Sequence, residues 1–392
     1  MARARFLLAF LAAYRGQSGA VWLLALVAVA SRSTAMLFPF ATVYVTSRLG
    51  HSASAAGVCG TLWAIGAIVG SGLGGVLSDR VDPLRVQLAS LLGGAVCMLL
   101  LARTTNFAAI CAIFCLQGVA VEMFRAANET SLAAAVDDDV RSFSLSHVVI
   151  SLGFMIVPPI GGYLATIGYD LLFTMNGALC LTGAVILFLG RRLVPPGVRR
   201  SETSEPAQRL DAGVLLVLPA TMAVMTVYTQ MSGTWMLYLT QVHRAAETIP
   251  GLLLGWNGLL VVAMQMWLTR RVGRFRPLRV LAVGSLLVGI GFGILPIASG
   301  FAYWLGTVAV WTLGEMLWMP FIKSYVVQRV PPASRGRHLG LVSAVHSVSF
   351  LLAPVLGLWT YEHVSPGAVF VGCAVTGVVA AATFVATGLL TE

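Results

Sequence analysis

Residues 118–162 read GVAVEMFRAANETSLAAAVDDDVRSFSLSHVVISLGFMIVPPIGG, and the interpretation of the whole chain starts from this stretch. Its first part ends a long apolar run that nonetheless carries Glu122, Arg125 and Glu129 on one helix face, at i, i+3 and i+7. An acidic turn follows, and then a second apolar run interrupted by two prolines and two glycines. Charges in hydrocarbon cost about 2.5–3.5 kcal/mol each and usually face a cavity or one another. The stretch therefore predicts two membrane helices joined by a short polar loop, one of them bearing a buried ionic cluster.

The composition indicates a membrane protein throughout. The 392 residues are 58% hydrophobic and only 10% charged, with a mean hydropathy of +0.88, whereas soluble domains carry about 25% charged residues. The basic start of the chain lacks a small-residue cleavage site before the first apolar run, so no cleavable signal is expected. All six cysteines fall in apolar segments without a completing His or acid, which favours reduced packing residues and no metal site.

The hydropathy pattern predicts an all-α membrane protein with twelve spans, because a span needs about 20 apolar residues. The predicted ranges are 19–47, 54–77, 84–103, 106–131, 143–167, 170–191, 212–241, 249–270, 277–299, 302–326, 337–362 and 365–390. The connections are short except for 192–211, a polar, proline-containing linker. We therefore expect a six-helix half at 1–191, a cytoplasmic linker at 192–211 and a second six-helix half at 212–392.

The arginines set the expected orientation. Nineteen lie in segments on the side of the N-terminus and the linker, whereas only Arg48, Arg103 and Arg244 lie at the opposite ends. The positive-inside rule then places both termini in the cytoplasm. The net charge of +10 is explained by this topology, so no nucleic-acid partner is expected.

The two halves repeat one another at a near-constant offset. Pro83-Leu-Arg-Val recurs at Pro277-Leu-Arg-Val, 194 residues later, and Glu122 has a counterpart in Glu315, 193 residues later. An even number of helices per half gives parallel repeats related by an axis along the membrane normal. Such proteins rock one half against the other around a central site.

At this point the chain resembles the major facilitator superfamily over nearly its whole length. The loop after the second predicted span is similar to the family signature G-x-L-a-D-R-x-G-R-K, of which it keeps Gly75, Leu77, Asp79 and Arg80. It departs from the signature at residues 82–84, where the family has Gly and basic residues. The resemblance implies a cytoplasmic gate that latches the two halves, with Arg85 also in this loop.

The fifth predicted span resembles the antiporter motif that ends G-P-x-x-G-G. The matching residues are Gly153, Pro158, Gly161 and Gly162. This motif and the E-x-x-R-x-A-x-N run of the fourth span resemble the twelve-span drug:proton antiporter branch. The arginine that many antiporters carry before Gln117-Gly118 is Phe114 here, so proton coupling does not rest on that position.

Glu315 is the sharpest candidate for proton coupling. It lies mid-span in WTLGEMLWMPF with no basic residue within a helical turn, and desolvation favours the neutral form of such a carboxyl. The alternative is a protonated Glu315 that only hydrogen-bonds a neighbouring helix. Glu122, Arg125 and the deeply placed Arg32 are further candidates, either for coupling or for a structural ion pair.

Aromatic and amide side chains predict where a substrate cavity lies. Tyr228, Met231 and Trp235 fall on one face of the seventh span, and helix packing is an equally good reading of that stripe. The remaining candidate cavity residues are Trp311, Trp318 and Asn257.

The function expected from these features is secondary active transport. No phosphate loop, nucleophile elbow or metal cluster occurs in the sequence, so we expect no enzyme activity and no cofactor, and the energy comes from a gradient. The favoured hypothesis is export of amphipathic or cationic drugs or natural products in exchange for protons, by a monomer in the inner (plasma) membrane. The alternatives are uptake of a small metabolite and a non-transporting receptor or lipid-handling protein.

Overall fold

The computed structural model describes residues 18–35, 38–135, 139–194, 211–330 and 335–391. Within these ranges it describes every side chain except those of 32–35, 38–39, 79, 133–134, 139–151, 154, 266, 335–337 and 391. All secondary structure in the described ranges is helical. The first half contains α1 (Gly19–Ala35), α2 (Phe38–Val43), α3 (Ala53–Arg80), α4 (Pro83–Leu101), α5 (Phe107–Ala135), α6 (Asp139–Ile167) and α7 (Tyr169–Gly190). The second contains α8 (Ala212–Thr229), α9 (Thr234–Leu237), α10 (Thr248–Val272), α11 (Pro277–Gly293), α12 (Phe301–Arg329), α13 (Arg335–His363) and α14 (Pro366–Thr391).

Ten helices in the described part of the chain are long and apolar enough to cross a membrane. Shorter apolar stretches occur at Gly19–Ser31 and Met155–Ile167, within the first and fifth predicted spans. Each of the ten coincides with one of the other predicted ranges. The total of twelve spans stays a prediction, as does the division into two halves and a linker.

The departure from the family signature after α3 has a structural reason. The carboxylate of Asp82 accepts a hydrogen bond of 3.0 Å from the backbone N–H of Leu84 and so caps α4. Pro83 occupies the first turn, where its missing N–H costs nothing. Pro277 opens α11 in the same way, as the sequence repeat predicts.

The internal repeat extends to irregular backbone. A π turn at Tyr44–Arg48 follows α2, and another at Tyr238–Val242 follows α9, 194 residues later. Thr46 and Thr240 donate their hydroxyls to the carbonyl four residues earlier, at 2.8 and 3.0 Å. The same deviation from a regular helix thus recurs at two positions related by the offset of the sequence repeat.

The predicted span at 212–241 is not one regular helix, which corrects our expectation. α8 ends at Thr229, a 3-10 turn covers Gln230–Ser232, and Gly233 takes φ −142° and ψ −87° before α9 begins. The side-chain amide of Gln230 stabilises this break: it donates to the Ala353 carbonyl at 3.1 Å, and its oxygen accepts from Thr234 at 2.7 Å. The side chains at 228–238 therefore do not form one continuous helical stripe.

Small residues bring helices of the first half into close contact. α3 and α5 pack so tightly that a Cβ at Gly118 would clash with the backbone carbonyl of Trp63. Gly74 is similarly tight, since its Cβ would lie 2.8 Å from the Met123 carbonyl oxygen. Close approach through small residues replaces hydrophobic association as the source of helix packing in a membrane.

The two halves meet through α6 with α10 and through α3 with α13. A Cβ on Gly162 would lie 2.7 Å from the Glu247 carbonyl oxygen, and one on Gly251 would clash with the Pro158 carbonyl. The Thr61 hydroxyl donates to the Leu351 carbonyl at 3.3 Å, and the Ser54 backbone N–H donates to the Glu362 carboxylate at 2.7 Å. These contacts lie at the end of the helices opposite the linker, which we call the outer end.

Candidate functional site

Glu315 lies where three helices of the second half converge. Its Oε1 accepts a hydrogen bond of 2.9 Å from the Tyr228 hydroxyl of α8, and its Oε2 accepts one of 2.8 Å from the Asn257 amide of α10. The Asn257 amide also donates to the Thr312 hydroxyl at 2.9 Å, one turn before Glu315 on α12. Glu315 is half-buried, whereas its three partners are buried.

Aromatic packing fixes the position of the Tyr228 hydroxyl. The Tyr228 ring makes an edge contact with Trp311, at 5.9 Å between centroids, and Trp311 stacks on Phe292 at 5.4 Å. Close packing of α11 and α12 at Gly314, where a Cβ would lie 2.6 Å from the Gly284 carbonyl oxygen, holds these rings in place. The carboxyl thus meets donors held by rigid elements, which is the arrangement a binding site requires.

No cation neutralises Glu315 among the described side chains. The ion pairs there are those of Arg125 with Glu122 and Glu129, and of Arg329 with Asp211. A half-buried carboxyl with two hydrogen-bond donors and no fixed counter-charge has room for one exchangeable positive charge. Chemically, that charge is either a proton on the carboxyl or a bound cation beside it.

The cluster on α5 is arranged differently. Arg125 donates to Glu122 at 2.6 Å and to Glu129 at 3.0 Å, so all three residues pair along one helix face. Glu129 is half-exposed and Glu122 is largely covered. The predicted shared face is therefore present, and the Glu122 carboxylate already has a built-in counter-charge.

The six residues predicted to line a substrate cavity are all buried: Tyr228, Met231, Trp235, Trp311, Trp318 and Asn257. Tyr228 and Asn257 touch Glu315, and Trp311 supports Tyr228. Trp318 packs instead on His346, at 5.5 Å between ring centroids, and Met231 and Trp235 follow the break after α8. The rings of Trp235, Trp311 and Trp318 are no more than 1% exposed, so in this conformation they contribute no open cavity surface.

The residues expected at the cytoplasmic gate lie around the α3–α4 turn. Arg80 and Arg85 are exposed, and the space beside Gly75 is open. The side chain of Asp79 lies outside the described residues, as does that of Arg32 on α1. The latch between the halves and the pairing of Arg32 with Glu122 thus stay predictions.

The residues of the antiporter motif lie where α6 meets the second half. Gly153 and Pro158 are buried, and a Cβ on Gly161 would lie 3.2 Å from the Phe40 ring. Gly162 approaches the backbone at Glu247 from the other half. In this conformation the motif provides close backbone contact between the halves at the outer end.

The sequence pointed to Glu315 but not to the side chains that donate hydrogen bonds to its carboxyl. Tyr228 and Asn257 are 87 and 58 residues away in sequence, and neither was assigned to the carboxyl. Thr312 was not considered, although its position one turn before Glu315 was a usable signal.

Comparison with known proteins shows the family of the chain. The profile described as Major Facilitator Superfamily matches residues 21–336 and 220–391. The chain is 25% identical to the MFS-type transporter YqjV of Bacillus subtilis over 338 residues, covering 83% of this chain and 81% of YqjV. It is 22% identical over 359 residues to a Na(+), Li(+), K(+)/H(+) antiporter of Planococcus maritimus, covering 82% and 84% of the two chains.

Solved structures show the same fold. The nucleoside transporter NupG superposes with a TM-score of 0.78 at 13% identity, covering 94% of this chain and all of NupG. The POT family transporter PepTSo gives a TM-score of 0.78 at 13% identity, with coverages of 95% and 99%. Profile, relatives and fold agree, and the chain is therefore a member of the Major Facilitator Superfamily, a multi-pass membrane transporter.

Proposed function

We propose that the protein exports amphipathic organic cations in exchange for protons and belongs to the drug:proton antiporter branch of its family. The observation that carries the proposal is the Glu315 carboxyl, which accepts from Tyr228 and Asn257 and has no fixed counter-cation among the described side chains. Such a group holds a proton or attracts a cationic substrate, but not both at once. That exclusion is the coupling that antiport requires.

The proposed cycle follows from this exclusion. With the central site open to the outside, a proton neutralises Glu315, weakens cation binding and releases the substrate. With the site open to the cytoplasm, loss of the proton restores the negative charge, and the two donors stabilise the carboxylate while a new cation binds. The Tyr228 and Trp311 rings near Glu315 are buried in this conformation, so an amphipathic cation would meet them only when the site opens, and exposed ring faces attract positive charge.

We infer twelve spans in two halves joined by the linker, both termini in the cytoplasm, a monomer and the inner membrane of the cell. The excess of arginine on the linker side supports this orientation. The small-molecule substrate and the proton are the expected partners, and Glu315 rather than Glu122 is the expected coupling residue.

Glu315→Gln tests the proposal in proteoliposomes with an imposed proton gradient. The variant mimics the protonated side chain at almost unchanged volume, so it should insert and fold but lose gradient-driven accumulation of ethidium, a fluorescent amphipathic cation. Glu122→Gln is the matched comparison, because Glu122 is the counterpart carboxyl but is paired with Arg125. Wild-type coupling in Glu315→Gln together with loss in Glu122→Gln would move the coupling to the other half.

A second candidate function is exchange of an alkali cation for protons. Glu315, Asn257 and Thr312 place a carboxylate, an amide and a hydroxyl together, and these are hard oxygen ligands. The Asn257 nitrogen now donates to both Thr312 and Glu315. Rotating the amide by half a turn would put its oxygen at that position instead, where it could bind a cation together with the carboxylate and the hydroxyl. The relative from Planococcus maritimus, named as a Na(+), Li(+), K(+)/H(+) antiporter, also favours this candidate. Sodium-driven proton movement in vesicles without any organic cation would select it over drug export.

A further inference from the structure

A second carboxyl lies on the interface between the halves, far from Glu315 in sequence. Glu247 precedes α10 and faces two residues of the first half, Tyr169 at the start of α7 and Arg48 at the end of a π turn. The Arg48 guanidinium lies over the Tyr169 ring, 5.7 Å from its centroid. We call Glu247, Tyr169 and Arg48 the outer-end cluster, because they join the halves at the end where α6 and α10 touch.

Two buried oxygen atoms in this cluster lack a formed hydrogen bond. The Tyr169 hydroxyl and Oε2 of Glu247 are both buried, and neither makes a formed hydrogen bond to any described group. A buried, unpaired carboxylate oxygen costs more free energy than a neutral carboxyl, which carries an O–H of its own to donate. The Tyr169 hydroxyl and the Arg48 guanidinium both favour the ionised form, but Oε2 makes no formed hydrogen bond to either, so its burial at the closed interface favours the neutral acid.

The backbones of the two halves pack closely around this cluster. A Cβ on Gly162 would lie 2.7 Å from the Glu247 carbonyl oxygen and 3.1 Å from the Thr248 Cα. Tyr169 is only 4% exposed, with its ring 5.1 Å from that of Tyr44. Burial accordingly raises the pKa of Glu247, and the Tyr169 hydroxyl and the Arg48 guanidinium offset only part of this rise.

We propose that Glu247 is a proton-binding site of the outer gate and that its protonated form favours closure of the outer end. When the halves separate there, Glu247 enters water and its carboxyl returns to the ordinary titration range. The closed state then binds the proton more tightly than the open state. By linkage, acidification stabilises the closed outer end, and this stabilisation is lost as the pH rises through the raised pKa of Glu247.

Three other charged or titratable groups lie near Glu247 in sequence or next to its partner Tyr169. Asp170, next to Tyr169, is exposed. His243 and Arg244 precede Glu247 in its own loop, and the His243 ring packs against Tyr238 and Trp304 at 5.0 and 5.4 Å between centroids. Arg48 is the cation that acts on the Glu247 carboxyl from the facing half, and it favours the ionised form.

This inference goes beyond the proposed function. Glu315 would carry the proton that is exchanged for substrate, whereas Glu247 would report external acidity to the gate and close it once a proton is present. The inference holds whether or not Glu315 is the coupling residue, because its readout is the separation of the halves rather than transport.

The test is a distance measurement across the outer end by double electron–electron resonance. Spin labels are attached at Thr105→Cys in the α4–α5 loop and Val364→Cys in the α13–α14 turn, both exposed sites at this end. The background variant has its six native cysteines replaced. In nanodiscs the short-distance population of the wild type should grow as the pH is lowered from about 8 to about 5. Glu247→Gln, which mimics the protonated acid, should show the short distance at every pH and lose this response.

Two control variants separate Glu247 from neighbouring carboxyls. Asp170→Asn changes an exposed carboxyl next to Tyr169 at the same end and should keep the pH response. Glu315→Gln should also keep it, even where it abolishes coupled transport, so failure of the proposed function is distinguishable from failure of this inference. A wild-type response in Glu247→Gln, a permanently open outer end in that variant, or opening of the wild type by acid would each overturn the proposal.

Arg48→Gln provides an independent test should Glu247→Gln fail to fold. It removes the cation that favours ionised Glu247, so the transition to the closed distance should shift to higher pH. A shift to lower pH, or no shift, contradicts the proposal.

Discussion

Replacing Tyr228 by Phe isolates one hydrogen bond of the Glu315 site. The change deletes a single oxygen atom from a buried ring and leaves its edge contact with Trp311, at 5.9 Å between centroids, in place. Glu315 then keeps the Asn257 amide at 2.8 Å but loses the hydroxyl donor at 2.9 Å. Both donors stabilise the negative charge, so the variant should hold its proton to a higher pH than the wild type.

The magnitude follows from the strength of that bond. A hydrogen bond to a charged group contributes about 1.5–3 kcal/mol, and 1.36 kcal/mol corresponds to one pH unit in a titration. Loss of the Tyr228 donor should therefore raise the pH midpoint of cation binding by about 1–2 units. The lower end of this range is the better expectation, because the Asn257 amide remains and can shift toward the carboxylate.

The assay is ethidium binding to purified protein, followed by fluorescence from about pH 5 to pH 9. Tyr238→Phe is the matched control, since it removes the hydroxyl of a tyrosine that packs on Phe370 and makes no bond to Glu315. Tyr238→Phe should leave the midpoint unchanged. An unchanged or acid-shifted midpoint in Tyr228→Phe would show that the carboxyl at this site does not govern cation binding.

Three further outcomes are expected. Gly251→Val should force α10 away from the Pro158 carbonyl at a cost on the order of 1–3 kcal/mol, seen as a larger outer-end distance between spin labels. Burial acts to raise the pKa of Asp211, but the Val214 N–H and Arg329 together hold it below the usual range. Asp211→Asn keeps the helix cap but loses the ion pair, so it should lower the free energy of unfolding by up to about 1 kcal/mol at pH 7. The difference in stability between variant and wild type should vanish as acid protonates Asp211. A cysteine introduced at 195–208 should react with impermeant reagents only from the cytoplasm, and one at 243–247 only from outside; the reverse pattern would invert the topology.

The positions of the helices could be predicted from sequence because a run of apolar residues at the length of a bilayer carries that information directly. The sequence repeat also predicted a shared helix start, since Pro83 and Pro277 each open a helix. Glu315 could also be identified from sequence, because it is an acid in an apolar run without a basic neighbour.

The partners of Glu315 could not be predicted, and the cause is physical. A membrane helix is apolar on most of its sides, so periodicity does not show which side of α8 or α10 turns toward α12. Tyr228 was grouped with Met231 and Trp235 as one stripe, but the irregular backbone at Gly233 breaks the helix between them. Glu247 gave no pattern at all, because a single acid in a short loop acquires its environment only when the halves close on it.

Glu122 and Glu315 occupy counterpart positions of the sequence repeat but have different neighbours. Glu122 is followed three residues later by Arg125, to which it is paired at 2.6 Å, whereas Glu315 is followed at the same spacing by Trp318, buried and uncharged. One copy thus carries a cationic partner on its own helix, and the other has an uncharged residue at the equivalent position. An arginine placed at 318 would lie one helical turn from Glu315, as Arg125 does from Glu122, and would give the second acid the same fixed counter-charge.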